Sequence, residues 1–396
     1  MEWILIFGVA FIFYGVIPGF GAFWVRSRWR SFRRDVIRSS QLPIFTYQDA
    51  FTIGNAGDPG EQAYRFFGTL EGIQEDNSIW LRRGNLVITA DMTGQEIVLL
   101  PTTRNSNKEE LIEIHEPLLQ EEIPTILPWN RVSSFSEGTK VYIAGPVENE
   151  DGKIVFKAKG PKKLLLVFYD GDDSQFLKKV IWNSRHRNEY WNQFTPAALG
   201  LGSLGEMIIT YYFLTTVQLR IPSILAIGAA LTPVLPFIPP GFFLFILYRW
   251  LWGRARFLRA ERDLIRLPLR FFPDGHLDQT VLLPTGEEYF CMQVTYFPKQ
   301  ELKGRGKLRS TLLDKTLSGK EPLYNWFGIR KEKDPFPGVS RDPMVENIIL
   351  YGNPEELAVR CEKYAYRLEL LSSLCFGSGL LLNLLLALRL LSLIIR

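Results

Sequence analysis

The stretch PVLPFIPPGFFLFILYRWLW, residues 233 to 252, decides how this chain is organised, because it is almost wholly apolar and four of its first eight residues are prolines. An apolar run of this length is typical of a membrane segment. Proline removes a backbone hydrogen-bond donor and clashes with the preceding helical turn, so a regular helix cannot pass through the cluster. The sequence therefore predicts a membrane helix that is broken at mid-depth, at Pro233, Pro236, Pro239 and Pro240.

The composition indicates a membrane protein with sizeable domains outside the bilayer. The chain has 396 residues, of which 46% are hydrophobic, and long apolar blocks alternate with charged segments. Three cysteines without a CxxC pair and three histidines argue against a disulfide framework, a zinc site and histidine-dependent catalysis. No cofactor is expected, and the interpretation favours a protein that is not an enzyme.

Four apolar segments divide the chain, each near the roughly 20 helical residues that a bilayer core requires. The basic residues of the first segment follow its apolar run, unlike those of a cleaved signal peptide. The predicted fold class is membrane, with about four α-helical spans and β-rich cytoplasmic domains. The predicted segments are transmembrane helix 1 at 1–25, a cytoplasmic β-rich domain with a juxtamembrane helix at 26–196, helix 2 at 197–217, helix 3 with the proline break at 222–250, a second cytoplasmic domain at 251–369 and helix 4 at 370–395.

Arginine placement sets the predicted orientation. Arginine clusters follow the first and third apolar segments, whereas the link between the second and third holds only Arg220. Basic residues favour the cytoplasmic side, so both large domains are predicted to be cytoplasmic and both termini outside. The clustered residues are Arg26, Arg28, Arg30, Arg33, Arg34 and Arg38, then Arg249, Arg254, Arg256, Arg259, Arg262 and Arg266.

The first cytoplasmic domain is predicted to be a small barrel or sandwich, perhaps in an OB-like form. Short runs rich in β-branched and aromatic residues are separated by Gly, Asn and Asp turns, which is a strand pattern. In the second domain, residues 298–343 are rich in proline, glycine and basic groups and indicate a long loop. The predicted strands lie in the runs 64–73, 78–84, 85–92, 94–101, 139–147, 153–158 and 163–171.

The run EGTKVYIAGPVENEDGKIVF (137–156), followed by KKLLLVFYDGDDSQFLKKVI (162–181) and an apolar segment, resembles the BAM ("beside a membrane") domain family. The resemblance covers most of the first cytoplasmic domain and rests on loose patterns. It implies a β-rich domain between two membrane helices. Some eukaryotic relatives carry a RING and act as ubiquitin ligases, but this chain lacks a RING-type cysteine array, so neither that activity nor any catalytic residue carries over.

Five short markers recur in the same order in the two halves and predict an internal repeat of span, domain and span in one orientation. In this repeat the Pro18-Gly19 break of the first segment is the counterpart of the proline cluster. The paired markers are VIPGFGAFW (16–24) with FIPPGFFLF (237–245), RDVIR (34–38) with RDLIR (262–266), RFF (65–67) with RFF (270–272), SIWLRRG (78–84) with TVLLPTG (280–286), and LLLVFYDGDDSQFLKK (164–179) with NIILYGNPEELAVR (347–360).

Glu206 lies near the centre of the second apolar segment, and an ionisable residue at that depth is a functional hypothesis. It could bind a cation, relay a proton or make one polar helix contact, with Thr210, Tyr211 and Asn383 as candidate partners. The alternative is a protonated, hydrogen-bonded side chain without a function. GLGSLG (200–205) fits a dinucleotide-binding pattern, but it opens an apolar span, so close helix packing explains it better.

The second domain carries a basic loop, defined by Lys303, Arg305, Lys307 and Arg309. Anionic lipid headgroups are its favoured partner, ahead of docking on the acidic stretch at 107–122, with simple solvation as the alternative. Nucleic acid is not expected, because the loop lacks the interleaved aromatic residues of single-strand binders.

These patterns predict a multi-pass membrane scaffold or regulatory protein that acts through its cytoplasmic modules. The alternative is a transporter or channel subunit that uses Glu206 and the broken helix. Besides the lipid bilayer, protein partners are expected, but the sequence does not identify them. It also does not decide whether the chain forms a homo-oligomer.

Overall fold

The structure is a computed structural model that describes residues 2–56, 62–74, 77–100, 124–150, 153–160, 163–185, 189–217, 219–272, 275–294, 307–309, 324–331 and 334–394. Within these ranges the α-helices are α1 (Glu2–Phe11), α2 (Ile17–Ser39), α3 (Tyr47–Ala56), α4 (Phe176–Asn183), α5 (Thr195–Tyr212), α6 (Arg220–Leu231), α7 (Gly241–Ile265) and α8 (Pro354–Ile394). Short π-helical turns cover Ile12–Val16 and Phe213–Val217, and 3₁₀ turns cover Trp129–Ser134, Asp173–Gln175, Leu235–Phe237 and Pro268–Phe271.

The strands form two separate sheets. The first sheet contains β1 (Ala63–Ile73), β2 (Ser78–Arg83), β3 (Leu86–Asp91), β4 (Ile97–Leu99), β5 (Thr125–Leu127), β6 (Lys140–Glu150), β7 (Lys153–Phe156) and β8 (Leu165–Tyr169). The second contains β9 (Val281–Leu282), β10 (Glu288–Val294), β11 (Lys307–Arg309), β12 (Tyr324–Lys331), β13 (Asp334–Gly338) and β14 (Ile348–Tyr351).

The chain divides into two compact units. The helical unit comprises residues 1–30, 186–259 and 361–396, and the β-rich unit comprises residues 31–185 and 260–360. Both sheets therefore belong to one unit, although more than a hundred residues separate their strands along the chain.

Five strands of the first sheet close into a barrel. Their order is β1-β2-β3-β7-β6, and β6 returns to pair with β1 from Ala63↔Pro146 to Thr69↔Lys140. Along β2, buried Ile79 and Leu81 alternate with exposed Trp80 and Arg82, the period of two that a half-buried strand requires. The inward side chains make one continuous apolar core.

All seven strand runs predicted for the first domain are strands in the structure. Beyond the barrel, β8 pairs with β6, β4 pairs with β8, and β4 also pairs with β5. The sequence pattern missed β5, because its three residues are too few to show a period.

The predicted loop at 298–343 is wrong for three of its described stretches, whereas residues 339–343 lie outside helices and strands. Residues 307–309, 324–331 and 334–338 are strands β11, β12 and β13. β12 is central to the second sheet and pairs with β10, β13 and β14. Its run YNWFGIRK is rich in residues that favour strands, and that signal was hidden by the prolines, glycines and lysines around it.

The proline cluster does break the third apolar segment. α6 ends at Leu231, a 3₁₀ turn covers Leu235–Phe237, and α7 begins at Gly241 and continues to Ile265. With 12 residues, or about 18 Å, α6 alone is shorter than a bilayer core. In the described residues, three helices are long and apolar enough to cross a membrane, namely Glu2–Ser39, Thr195–Thr215 and Pro354–Leu393.

Candidate functional site

A polar cluster lies inside the apolar helices around Glu206 of α5. The Glu206 side chain is completely buried and lies close to the backbone of Ala10 in α1. Neither carboxyl oxygen has a hydrogen-bond partner among the described residues. Three residues before it, the Ser203 hydroxyl lies 3.2 Å from the Tyr14 hydroxyl and donates to the Ala230 carbonyl at 2.9 Å.

Of the partners predicted for Glu206, Thr210 binds only its backbone. The Thr210 hydroxyl donates to the Glu206 carbonyl at 2.8 Å, and the Tyr211 side chain is exposed. A buried carboxyl without a partner is costly unless it is protonated or meets a ligand. The geometry is therefore compatible with a Glu206 carboxyl that binds a proton or a cation.

Glycines of α5 allow α1 and the π-helical turn that follows it to come close to this cluster. A Cβ on Gly202 would lie 2.6 Å from the Tyr14 ring and 2.7 Å from Phe13 Cβ, and one on Gly205 would touch Val9 at 3.5 Å. Small residues let two helix backbones approach closely. The packing role predicted for GLGSLG therefore holds at these two positions, whereas nothing lies near Gly200.

Asn383 of α8 binds the broken helix rather than Glu206. Its amide nitrogen donates to the carbonyls of Leu235 and Ile238 at 2.6 and 2.7 Å, and its oxygen accepts from the Gly241 amide at 3.2 Å. These backbone groups lie at the proline break, where the regular helical hydrogen bonds stop. Asn383 thus satisfies the polar backbone that a membrane interior could not hydrate.

Glycines also allow α8 to reach the break. A Cβ on Gly241 would lie 2.8 Å from the Gly379 carbonyl oxygen, and one on Gly379 would lie 3.1 Å from Leu244 Cβ. Gly379 is one turn before Asn383 on the same helix, so the close approach and the hydrogen bonds act together. At the break, the start of α7 therefore packs closely against α8.

The second predicted break, at Pro18-Gly19, is wrong, because α2 continues through both residues. A π-helical turn at Ile12–Val16 precedes it instead. Side chains supply hydrogen bonds to backbone carbonyls here, with the Tyr190 hydroxyl donating to Tyr14 at 2.7 Å and the Asn192 amide to Pro18 at 3.0 Å. A local helical adjustment with side-chain donors is a common way to accommodate proline.

Replacing Asn383 by leucine is expected to destabilise the helical unit by about 2 kcal/mol, because buried carbonyls at the break lose their donor. The measurement is thermal unfolding of the full chain in detergent. Leu385→Ala is the matched control, since Leu385 is an exposed residue of the same helix. An equal effect of the two changes would show that Asn383 does not hold the break.

A buried ion pair joins the first sheet of the β-rich unit to the segment that connects β13 and β14 of the second sheet. The Arg65 guanidinium of β1 binds both carboxylate oxygens of Asp342, one of them at 2.8 Å, and both side chains are almost completely buried. Arg65 Nε also donates to the Leu42 carbonyl at 2.7 Å. Arg270 reaches the same segment, with bonds to the Glu346 carboxylate at 2.9 Å and the Met344 carbonyl at 2.6 Å.

A second buried cluster surrounds Asp263. Its carboxylate binds Arg185 directly and accepts from Arg262 at 2.6 Å, while Arg33 Nε lies 3.9 Å away. Arg33 also donates to the Ser184 carbonyl at 2.8 Å. Four charged side chains from three parts of the sequence thus tie α2, the residues just after α4 and α7 together inside the β-rich unit.

The sequence prediction missed Arg65, Asp342 and Asp263, although signals were present. Arg65 and Arg270 open the two RFF markers, and Asp263 lies in RDLIR. Of the basic loop, Lys303 and Arg305 lie outside the described residues, as does the acidic stretch at 107–122. Lys307 and Arg309 lie in β11, which pairs in parallel with β14.

Comparison with protein-family models, with curated proteins and with solved structures finds no match to this chain. Within the described residues, no group of three or more His, Cys, Asp or Glu side chains is placed to hold a metal ion.

Proposed function

We propose that the chain is a multi-pass membrane scaffold or regulatory protein that presents its two β-rich modules to partners as one rigid cytoplasmic platform. The observation that carries the proposal is the buried Arg65–Asp342 pair. It joins the closed barrel to the second module with bidentate geometry, which fixes orientation as well as distance. Two modules joined in this way cannot turn independently, which is what a scaffold requires.

The connectivity of the chain supports four membrane crossings. Both sheets belong to one unit, so the chain between them must leave and return on the same side of a membrane. If α5 crosses once, the broken pair α6 and α7 must together cross back. With the arginine clusters on the cytoplasmic side, both termini are then outside.

The barrel supports the OB-like module that the strand pattern predicts, and a β-rich domain is also what the BAM resemblance implies. Its strand order β1-β2-β3-β7-β6 closes on β1, and β3 and β7 are parallel, an order and a parallel pair that OB barrels share. OB barrels bind ligands on the face of their second and third strands. On that face Trp80 and Val87 are 40% and 43% exposed, and they offer an apolar contact for a partner protein.

Matching local structure supports an internal repeat. Gly171 and Gly352 have φ of 88° and 86°, and each follows a strand that leads to a helix. The cation–π pairs Arg28–Trp24 and Arg256–Trp252 stand the same distance before RDVIR and RDLIR. The RFF markers differ, because residues 65–67 lie in β1 whereas Pro268–Phe271 is a 3₁₀ turn.

The orientation can be tested with single cysteines in a chain whose three native cysteines are replaced. Thr93, Val339 and Thr215 are exposed positions in the barrel, the second module and the α5–α6 link. A membrane-impermeant maleimide added to intact cells should label only position 215, because the other two positions face the cytoplasm. Labelling at 93 or 339 would contradict the cytoplasmic platform.

The scaffold role can be tested with a photo-crosslinking amino acid at Val87 on the barrel face. In cells this position should give discrete protein adducts, because an exposed apolar face marks a site of protein interaction. The exposed polar position Thr93 should give none. Absence of adducts at Val87 in the native membrane would contradict partner docking on this face.

Glu206 favours a second candidate, a transporter or channel subunit, because its buried carboxyl has no partner among the described residues. Reconstituted vesicles would then show proton or cation flux that Glu206→Gln abolishes without loss of folded protein. If flux is absent, or if Gln and Leu at this position both preserve it, the transport alternative is wrong. Asn383 argues for the scaffold, since it fixes the broken helix that a moving gate would need to release.

A further inference from the structure

An open groove of about 330 Å³ lies between α7 and α8 in the helical unit. Arg259 of α7 lines one side, and Glu362, Lys363, Tyr366 and Arg367 of α8 line the other. Lys363, Tyr366 and Arg367 are exposed. Tyr366 and Arg367 lie three and four residues after Lys363, so all three share one face of α8. None of these lining residues belongs to the cluster at Glu206 or to the proline break.

The groove is positively charged and one wall is fixed. Arg259 binds both carboxylate oxygens of Glu369 at 2.5 Å, so its guanidinium is held in place. Arg259, Lys363 and Arg367 bring three positive charges, and Glu362 and Glu369 bring two negative ones, which leaves a net charge of +1. Lys363 and Arg367 have no acidic partner among the ion pairs of the described residues and present their charge to solvent.

The groove stands where α8 changes from charged to apolar. Glu369 is the last charged residue before a long apolar run that begins at Leu370. Leu370 and Leu374 are 54% and 58% exposed. Two basic and two apolar side chains lie on one face of α8, because the spacings between Lys363, Arg367, Leu370 and Leu374 are four, three and four residues. Together they form one continuous stripe that is basic at one end and apolar at the other.

We infer that this groove binds the phosphate headgroup of an anionic phospholipid, with an acyl chain along Leu370 and Leu374. Lys363 and Arg367 donate to the phosphodiester oxygens, and the Tyr366 hydroxyl can donate a further hydrogen bond. Only an amphiphile matches both the basic end and the apolar end of the stripe. Basic pockets between membrane helices on the cytoplasmic side suit such headgroups. The inference rests on the proposal that α8 crosses a membrane.

The test measures lipid retained by the full chain in detergent, by native mass spectrometry after addition of phosphatidylglycerol or phosphatidylcholine. The wild-type chain should retain phosphatidylglycerol in preference. A Lys363→Gln/Arg367→Gln variant should retain it about 30-fold less, since each basic residue near a headgroup contributes about fivefold. Arg360→Gln is the matched control, because Arg360 is a basic residue of α8 whose side chain is 42% exposed and does not line the groove.

Three outcomes would overturn the inference. Equal losses in the control and the double variant would mean that retention depends on general positive charge. Equal retention of the two lipids would mean that the headgroup is not recognised. If inorganic phosphate binds with the same dependence on Lys363 and Arg367 and displaces the lipid, the groove is a site for soluble phosphate. None of these results depends on the cysteine labelling, so failure here and failure of the membrane orientation are distinguishable.

Discussion

Arg65→Met is expected to destabilise the β-rich unit by about 3–5 kcal/mol, the usual cost of removing one partner of a buried ion pair. The Asp342 carboxylate is 1% exposed and would lose both guanidinium bonds while staying buried. It would keep the Met344 amide, which donates at 3.0 Å. The measurement is denaturant unfolding of the full chain in detergent, followed by near-ultraviolet circular dichroism.

The double variant Arg65→Met/Asp342→Leu should recover at least half of that loss, because an apolar pair leaves no buried charge. Arg82→Met serves as the matched control. Arg82 pairs with Glu71 at 2.5 Å on the barrel surface with its side chain 54% exposed, and such pairs contribute about 0–1 kcal/mol. If Arg65→Met costs no more than Arg82→Met, the buried pair does not hold the modules together.

Asp263→Asn is expected to cost about 3 kcal/mol at neutral pH, because three neighbouring arginines lose the carboxylate that they share. Burial would raise the pKa of the Asp263 carboxyl, but Arg185 and Arg262 outweigh burial and lower that pKa. A carboxyl with a depressed folded-state pKa stabilises the fold above its unfolded pKa of about 3.9. That contribution is lost as the pH falls through the folded-state pKa.

The difference in unfolding free energy between wild type and Asp263→Asn should therefore be largest at neutral pH and shrink below about pH 4. The other carboxyl groups are the same in the two proteins, so their contributions to the unfolding free energy cancel in this difference. The measurement is denaturant unfolding of both chains across that pH range. A difference that stays constant from neutral to acidic pH would mean that the Asp263 charge contributes nothing to stability.

Elements with a strong local pattern could be predicted from the sequence. The seven strand runs are rich in β-branched and aromatic residues and are bounded by turn residues, and both signals are visible without tertiary information. The proline cluster predicted the broken helix for an equally local reason, since proline cannot sit inside a regular helix. Gly241, the residue that directly follows the proline cluster, is the first residue of α7.

Features that depend on distant contacts could not be predicted. The hydrogen bonds of Asn383 with the proline break join residues more than 140 positions apart, and Arg65 and Asp342 are 277 positions apart. Neither pair leaves a periodic signal. The prediction that Asn383 lies near Glu206 came from its place in an apolar segment, which indicates depth but not which neighbouring helix it meets.

The central claim, that the barrel and the second module form one rigid platform, is tested most directly by a distance measurement between them. Spin labels on cysteines at Thr93 and Val339, in a chain without native cysteines and in lipid nanodiscs, would report that distance by double electron–electron resonance. The account predicts one narrow distance distribution in the otherwise unchanged chain and a broader one after Arg65→Met. A broad or two-peaked distribution with Arg65 and Asp342 intact would contradict it.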